Sequence, residues 1–401
     1  MSNPTVIQPN IKKKQNLRNI TWTVILCLVI VAGIVAWGYL TFKGTTVTNL
    51  NNINPWGVDI ASFMLFMSIS AGALIIASLP GVMNITRYQS YAKIPAFIGL
   101  AASIGAGAAI FMHLGRPERF WHMIVYLRLG SPMSWDSLVI ALLLIISAIF
   151  LNKLIKFDQG KTSKDTIKKL SYCALFVGLL EGGSSFTYSL QASHTFWNSP
   201  AQPVAFIITA IIAGTALLTV VLLLLKSRNY LTVDDKLSEA LAKITGVSLI
   251  TELIFVISEI ITGAYPGTIG GLADNSALFT GAALPYFRTE LVVVVAAIVI
   301  FLTPSVRRNS MMLSIGGVLA IIGVFLNKLT MLVVAFSAVN ITNPGAPTGP
   351  LAITGSYVPN IGKGYFPSLV ECTLVLSIVA LVILLLLLGF KYLPLQNKET
   401  V

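Results

Sequence analysis

Charged side chains make up only 10% of the 401 residues. A soluble domain carries about 25%, so the composition argues against a water-soluble globule. Histidine is rarer still. His113, His122 and His194 all fall at or beyond the ends of apolar runs. A transmembrane b-type haem needs paired axial histidines within the spans, which leaves a site shared by His113 and His194 as the one arrangement open. Cys27, Cys173 and Cys372 stand far apart with no Cys-x-x-Cys, so neither a disulfide framework nor iron–sulfur ligation is encoded. Dinucleotide fingerprints, phosphate loops and His-Glu-x-x-His are missing too. This chain is therefore expected to hold no metal, haem or iron–sulfur cluster of its own.

What it has is hydrocarbon. Hydrophobic residues reach 55% and the mean hydropathy is +0.83. Apolar runs of a length suited to a bilayer recur from end to end. They predict an all-α polytopic membrane protein of about ten transmembrane helices, near 20–42, 56–79, 94–114, 134–151, 170–190, 203–225, 246–264, 288–303, 310–338 and 367–390. Pro80, Pro95, Pro132, Pro203, Pro304 and Pro367 mark limits of these runs. The first run follows Lys12, Lys13, Lys14 and Arg18 but is too long for a signal peptide and lacks a small-residue cleavage site, so it reads as an uncleaved span.

The net charge of +12 sits in short connections between spans, a topology signal and not a nucleic-acid surface. With the N-terminus inside, 20 of the 27 Lys and Arg fall on the inner side and six on the outer. Both termini are thus expected in the cytoplasm. Three of the outer six, Arg116, Arg119 and Arg128, crowd into the connection 115–133, which points to a partner subunit, a lipid head group or a local carboxylate. The plainer alternative pairs Arg116 and Arg119 with Glu118 and helix ends.

Of 15 acidic residues, seven fall within or at the ends of spans: Asp59, Asp136, Glu181, Glu252, Glu259, Glu290 and Glu371. Lys328 joins them. A charge at the bilayer centre costs about 2.5–3.5 kcal/mol on insertion scales, so such residues face a bundle interior or a watery path. Depth sorts them. Asp59, His113 and Asp136 form a layer near the outer surface. Glu181, Glu252, Glu259, Lys328 and Glu371 read as deeper, and Glu252 and Glu259 lie two turns apart on one helix face. They are candidates for a proton path, compatible with Lys328 pairing with a glutamate to hold helices in register. Ser70–Ala73, Ala101–Gly107 and Glu181–Ser185 read as close-packing stretches. The Pro- and Gly-rich connection 339–366 reads as an outer docking surface.

His113-Leu114-Gly115-Arg116-Pro117, followed by Ser131-Pro132-Met133-Ser134-Trp135, resembles the paired motifs of the polysulfide reductase membrane-subunit (NrfD-like) family. Gly57-Val58-Asp59-Ile60 through Ala73 fits the preceding helix. The resemblance is strong across 56–151 and architectural beyond. It implies two four-helix bundles with one extra helix at each end: 1–55 as the N-terminal segment and first helix, 56–190 and 191–338 as the bundles, and 339–401 as the outer loop and last helix. It also implies a prokaryotic cell membrane and a quinone site in the first bundle near the outer face. Asp59, His113 and Asp136 would exchange protons there, with Arg116, Trp121, Ser134 and Trp135 around the ligand, and Arg116 with Arg119 at the rim. An outer iron–sulfur subunit and a molybdopterin-type catalytic subunit would be the partners. The chain departs from the family where His113 replaces a frequent acidic residue and Asp136 a small one, so His113 is expected to exchange the protons and Asp136 to compensate. An interfacial aromatic belt is the alternative for Trp121 and Trp135. Two rival classes stay open: an ion-coupled secondary transporter, and an anchor without a quinone site.

Overall fold

The computed structural model describes residues 8–51, 54–337 and 365–395, with the side chains of residues 8–19, 86 and 87 outside that description. Predictions resting on the side chains of Lys12, Lys13, Lys14, Arg18 and Arg87, on Lys363 and Lys398, or on the connection 339–364 lie outside the described residues. The rest is an all-α polytopic membrane protein with no strand among the described residues. Its principal helices are α1 (Gln8–Lys43), α2 (Val58–Val82), α3 (Lys93–His113), α4 (Pro132–Asp158), α5 (Lys164–Leu179), α6 (Gln202–Ser227), α7 (Asp235–Ala264), α8 (Ile269–Phe279), α9 (Leu284–Leu302), α10 (Ser310–Ser337) and α11 (Leu369–Tyr392). Helix is what lipid permits, since every backbone N–H and C=O must be satisfied within the segment.

Nine of these helices are long and apolar enough to cross a membrane. The predicted fifth span is different. It is α5, of 16 residues, continued by single turns at Glu181–Ser184 and Phe186–Ser189. Gly182 and Gly183 carry the weakest helix propensity short of proline. The Ser185 hydroxyl donates to the Gly182 carbonyl at 2.7 Å, competing with the backbone ladder. Pro80 also departs from its expected place: it lies inside the last turn of α2, not beyond it. Pro132 and Pro203 open α4 and α6, where a missing N–H costs nothing.

Packing runs round two closed rings. In the first, α2 packs on α3, α3 on α4, α4 on α5 and α5 back on α2; in the second the order is α6, α7, α9, α10 and back to α6. The rings meet where α2 lies against α6 and α10, and α2 is consequently buried nearly all round. Outside them, α1 packs on α11, which packs on α3. Gly72 and Gly214 make the α2–α6 crossing close enough for backbone to touch backbone, and a Cβ at Gly72 would overlap the Ala210 carbonyl oxygen.

Gly72→Val is therefore expected to force the rings apart, at a cost of about 1–3 kcal/mol or more. Gly107→Ala, whose Cβ would meet nothing within 4 Å, is the matched control. A detergent thermal-shift series checks this: a lower transition for Gly72→Val and no change for Gly107→Ala.

Candidate functional site

The first turn of α2 and the last residue of α3 come together at one end of the first ring. Asp59 Oδ1 accepts from the backbone N–H groups of Ile60 (2.9 Å) and Gly57 (3.2 Å), which fixes the carboxylate. Its Oδ2 meets His113 Nδ1 in a short hydrogen bond. Because Nδ1 is engaged, Nε2 is the imidazole nitrogen left for a ligand. Both side chains line a cavity of about 380 Å³. One wall comes from the first ring. The other comes from Leu40, Thr41 and Gly44 at the end of α1 and from Glu371 and Leu374 at the start of α11. Leucines and a proline with a few convergent polar groups are the usual lining of a small-molecule site of this size.

Glu371 is not deep. It is the third residue of α11 and closes a capping box with Ser368. Its Oε2 accepts from the backbone N–H groups of Ser368 (2.8 Å) and Asn49 (3.0 Å), and its Oε1 accepts from the Tyr365 hydroxyl. Burial and the neighbouring Glu371 push the Tyr365 phenol well above its ordinary range, so it stays a proton donor. Tyr365 also accepts from the Val58 N–H at 3.0 Å, tying α11 to the first turn of α2.

The other predicted site residues do not line this cavity. Asp136 is turned toward the segmented fifth span, where it accepts from the Thr187 hydroxyl at 2.7 Å beside Ser184 and Tyr188. Trp135 donates its indole N–H to Leu129 O at 2.7 Å and sets an edge against Phe186, and Ser134 N–H closes a turn on Ser131 O. Trp121 is 53% exposed and packs on His122. Arg116, Arg119 and Arg128 are exposed, with no ion pair to Glu118 or any other described residue. Around them stand Phe120, Ile124, Val125, Tyr126 and Leu129, also exposed. His194 bonds Ala335 O at 3.0 Å inside an aromatic cluster with Trp56, Trp197 and Phe336, so it and His113 are engaged separately. Among the described residues no group of three His, Cys, Asp or Glu is placed to hold a metal ion.

The interior carboxylates converge on Lys328, which is 1% exposed. Its Nζ stands 3.5 Å from the centroid of the Phe206 ring, and Glu252, Glu181, Glu259 and Glu290 surround it at longer range. Of the two readings left open for Lys328, the described residues show no direct pair with a glutamate but a cation over an aromatic face with four glutamates at longer range. Glu181, released from helical register by the break after α5, accepts from the Ser68 hydroxyl at 3.1 Å. Gln202 donates to Glu259 at 2.9 Å and Asn327 to Glu290 at 3.1 Å. A cavity of about 30 Å³ touches Glu252, Glu259, Glu290 and Lys328, room for a water or two. It shares Phe196, Phe255 and Glu259 with a polar vestibule of about 530 Å³ that reaches Asp274. Glu290, Gln202, Asn327 and Asp274 join this network without having been candidate site residues in the sequence. Glu290 was visible as an intramembrane carboxylate, whereas the amides and the α8 aspartate carried no signal.

With this geometry in view, the chain matches the polysulphide reductase NrfD family over residues 46–340. It is 26% identical to a membrane subunit of the putative dimethyl sulfoxide reductase of Halobacterium salinarum, covering 94% of this chain and 91% of that one. It is 24% identical to the Hdr-like menaquinol oxidoreductase integral membrane subunit of Archaeoglobus fulgidus, covering 93% and 94%. To a subunit of the selenate reductase of Mesobacillus selenatarsenatis it is 20% identical, covering 96% of each.

Asp274, on α8 outside the nine long helices, supplies a pH test. Burial raises its carboxyl to about 6, against a hydrogen bond from Thr195 that lowers it. A raised carboxyl pKa means the folded state binds the proton that the unfolded state has already lost. Asp274 therefore adds stability as pH falls from about 6 toward the ordinary value of 3.8, and that increment is lost as pH rises through 6. Thermal transitions from pH 4 to 7 should show an acid-side gain in the wild type that is diminished in Asp274→Asn.

Proposed function

The chain belongs to the polysulphide reductase NrfD family, and on that footing we propose that it is the quinone-reactive membrane subunit of a respiratory oxidoreductase complex. The observation that carries this reading is the Asp59–His113 pair on the wall of a ligand-sized cavity at the helix ends. A relative named as a menaquinol oxidoreductase integral membrane subunit, covered over 94% of its length, supports it. A quinone couple exchanges two protons with every two electrons. Asp59 orients the imidazole through Nδ1. His113 lines the cavity with Nδ1 engaged, so Nε2 is the nitrogen that would donate a hydrogen bond to a carbonyl oxygen or accept the proton of a hydroxyl.

Electrons would pass to or from an iron–sulfur partner, with a molybdopterin-type catalytic subunit beyond it, on the face carrying His113. The charge asymmetry of the connections supports an external position for that face and cytoplasmic termini, and the family resemblance supports a prokaryotic cell membrane. Arg116, Arg119 and Arg128, unpaired among exposed apolar side chains, suit the partner's docking surface. Asp136 and the cage of Glu181, Glu252, Glu259, Glu290 and Lys328 would carry protons, with water entering by the polar vestibule. Glu371 is better placed at the quinone cavity than on that path.

Purification of the tagged chain in mild detergent tests this. Recovery of a cluster-bearing subunit whose iron–sulfur EPR signal appears on reduction by menadiol supports the proposal. His113→Ala and Asp59→Asn should slow that reduction by about 10²-fold or more while leaving the partner bound. A lone polypeptide without clusters or quinone would overturn it in favour of an ion-coupled transporter built on the Lys328 cage.

A further inference from the structure

The end of the first ring opposite His113 carries a separate cavity, of about 220 Å³. It lies beside the last turn of α2, between the connection to α3, the end of α4 and the start of α5. Its lining holds positive charge that nothing answers. Lys164 and Lys168 stand one turn apart on α5, and like charges four residues apart destabilise a helix. They also stand near its N-terminus, the end whose dipole disfavours cations. Neither has an ion pair among the described residues. The neighbouring Lys169 shows the contrast, since Asp165 answers it at 2.8 Å. Asp158 is the acidic residue of the lining, and its carboxylate is already bound to the buried Lys93. That pair is neutral together, so the charge of the two lysines remains.

Gln89 adds an independent observation. It lines the same cavity, and its Nε2 is closed off from solvent with no hydrogen-bond partner among the described residues. A buried N–H left without an acceptor is costly. Two ammonium groups and an amide donor around one space call for an anion with several acceptor oxygens, as a phosphate has. Pro80, Phe157 and Ile167 give the cavity an apolar side, which suits a ligand continuous with hydrocarbon better than a hydrated ion. The volume is several times the ~30 Å³ share of one water, room for a headgroup and not for acyl chains.

We propose that this cavity binds the phosphate group of an anionic phospholipid, held by Lys164, Lys168 and Gln89. The leaflet is the one opposite His113, which the charge asymmetry of the connections supports as cytoplasmic. Bound there, the lipid ties the start of α5 to the ends of α2 and α4, away from the break after Leu179. The site owes nothing to the quinone reading.

Thermal transitions of the full chain in lipid-free detergent test this with three probes: dioctanoyl phosphatidylglycerol, dioctanoyl phosphatidylcholine and sodium phosphate. A ligand of the folded state raises the transition with concentration, which yields an apparent Kd. The wild type is expected to bind the anionic lipid at least about tenfold more tightly than the zwitterionic one, with no saturable response to sodium phosphate. Lys164→Gln/Lys168→Gln should weaken the phosphatidylglycerol affinity by about tenfold or more. Lys156→Gln/Lys161→Gln removes the same charge from exposed positions outside the lining and should stay within about twofold of the wild type. Gln89→Leu should weaken lipid binding yet raise the transition of the lipid-free protein, because the unpaired donor is gone. If that variant does not fold, the two lysine doubles decide. Equal affinity for the two lipids, an equal loss in both lysine doubles, or no loss in Lys164→Gln/Lys168→Gln overturns the proposal. A response to sodium phosphate as tight as that to phosphatidylglycerol overturns the lipid assignment in favour of a free-anion site.

Discussion

The buried charge cluster of this protein depends on how closely α2 and α6 approach. Gly72 and Gly214 let two backbones touch, and that contact holds the two rings at a distance where a charge on one is felt by the other. Lys328 belongs to the second ring and Glu181 to the first, yet they share a field. An isolated ammonium in hydrocarbon would be prohibitively costly. Here it has an aromatic face, four carboxylates at a remove, and a small cavity for water. With a wider crossing the cage would open and Glu181 would lose its cation.

The two rings use similar materials for different ends. The first places its polar groups at a helix terminus, where backbone N–H groups and a histidine fix one carboxylate against a ligand-sized space. The second places them along the helix interiors, where amides and hydroxyls bridge glutamates toward a vestibule. The break after α5 joins the two arrangements. By ending the regular helix at Leu179 it turns Glu181 toward Ser68, and Thr187 toward Asp136.

Hydropathy was sufficient for the long helices, since lipid imposes helix on any apolar run of that length. Asp59 and His113 were legible as one layer because each stands at a helix end, where depth is nearly fixed by position. Asp136 shared that depth but not the direction, as rotation about a helix axis is set by packing and not by hydropathy. Gly182, Gly183, Ser184 and Ser185 read as packing residues, and Gly182 does pack against Pro203 O, but their low propensity also breaks the span. Glu371 was placed too deep because an apolar window has no sense of where its first turn starts. The spacing of Ser368 and Glu371 held that information as a capping-box pattern.

The cavity beside His113 takes one wall from the family-matched core and the other from α1 and α11, a pair that leans on that core chiefly through α3. The two walls are therefore free to change at different rates. Substitutions at Thr41 or Leu374 alter the lining on the peripheral pair alone, whereas one at Glu371 also reaches the first turn of α2 through Tyr365, so the peripheral pair can reshape the cavity while the rings keep their packing.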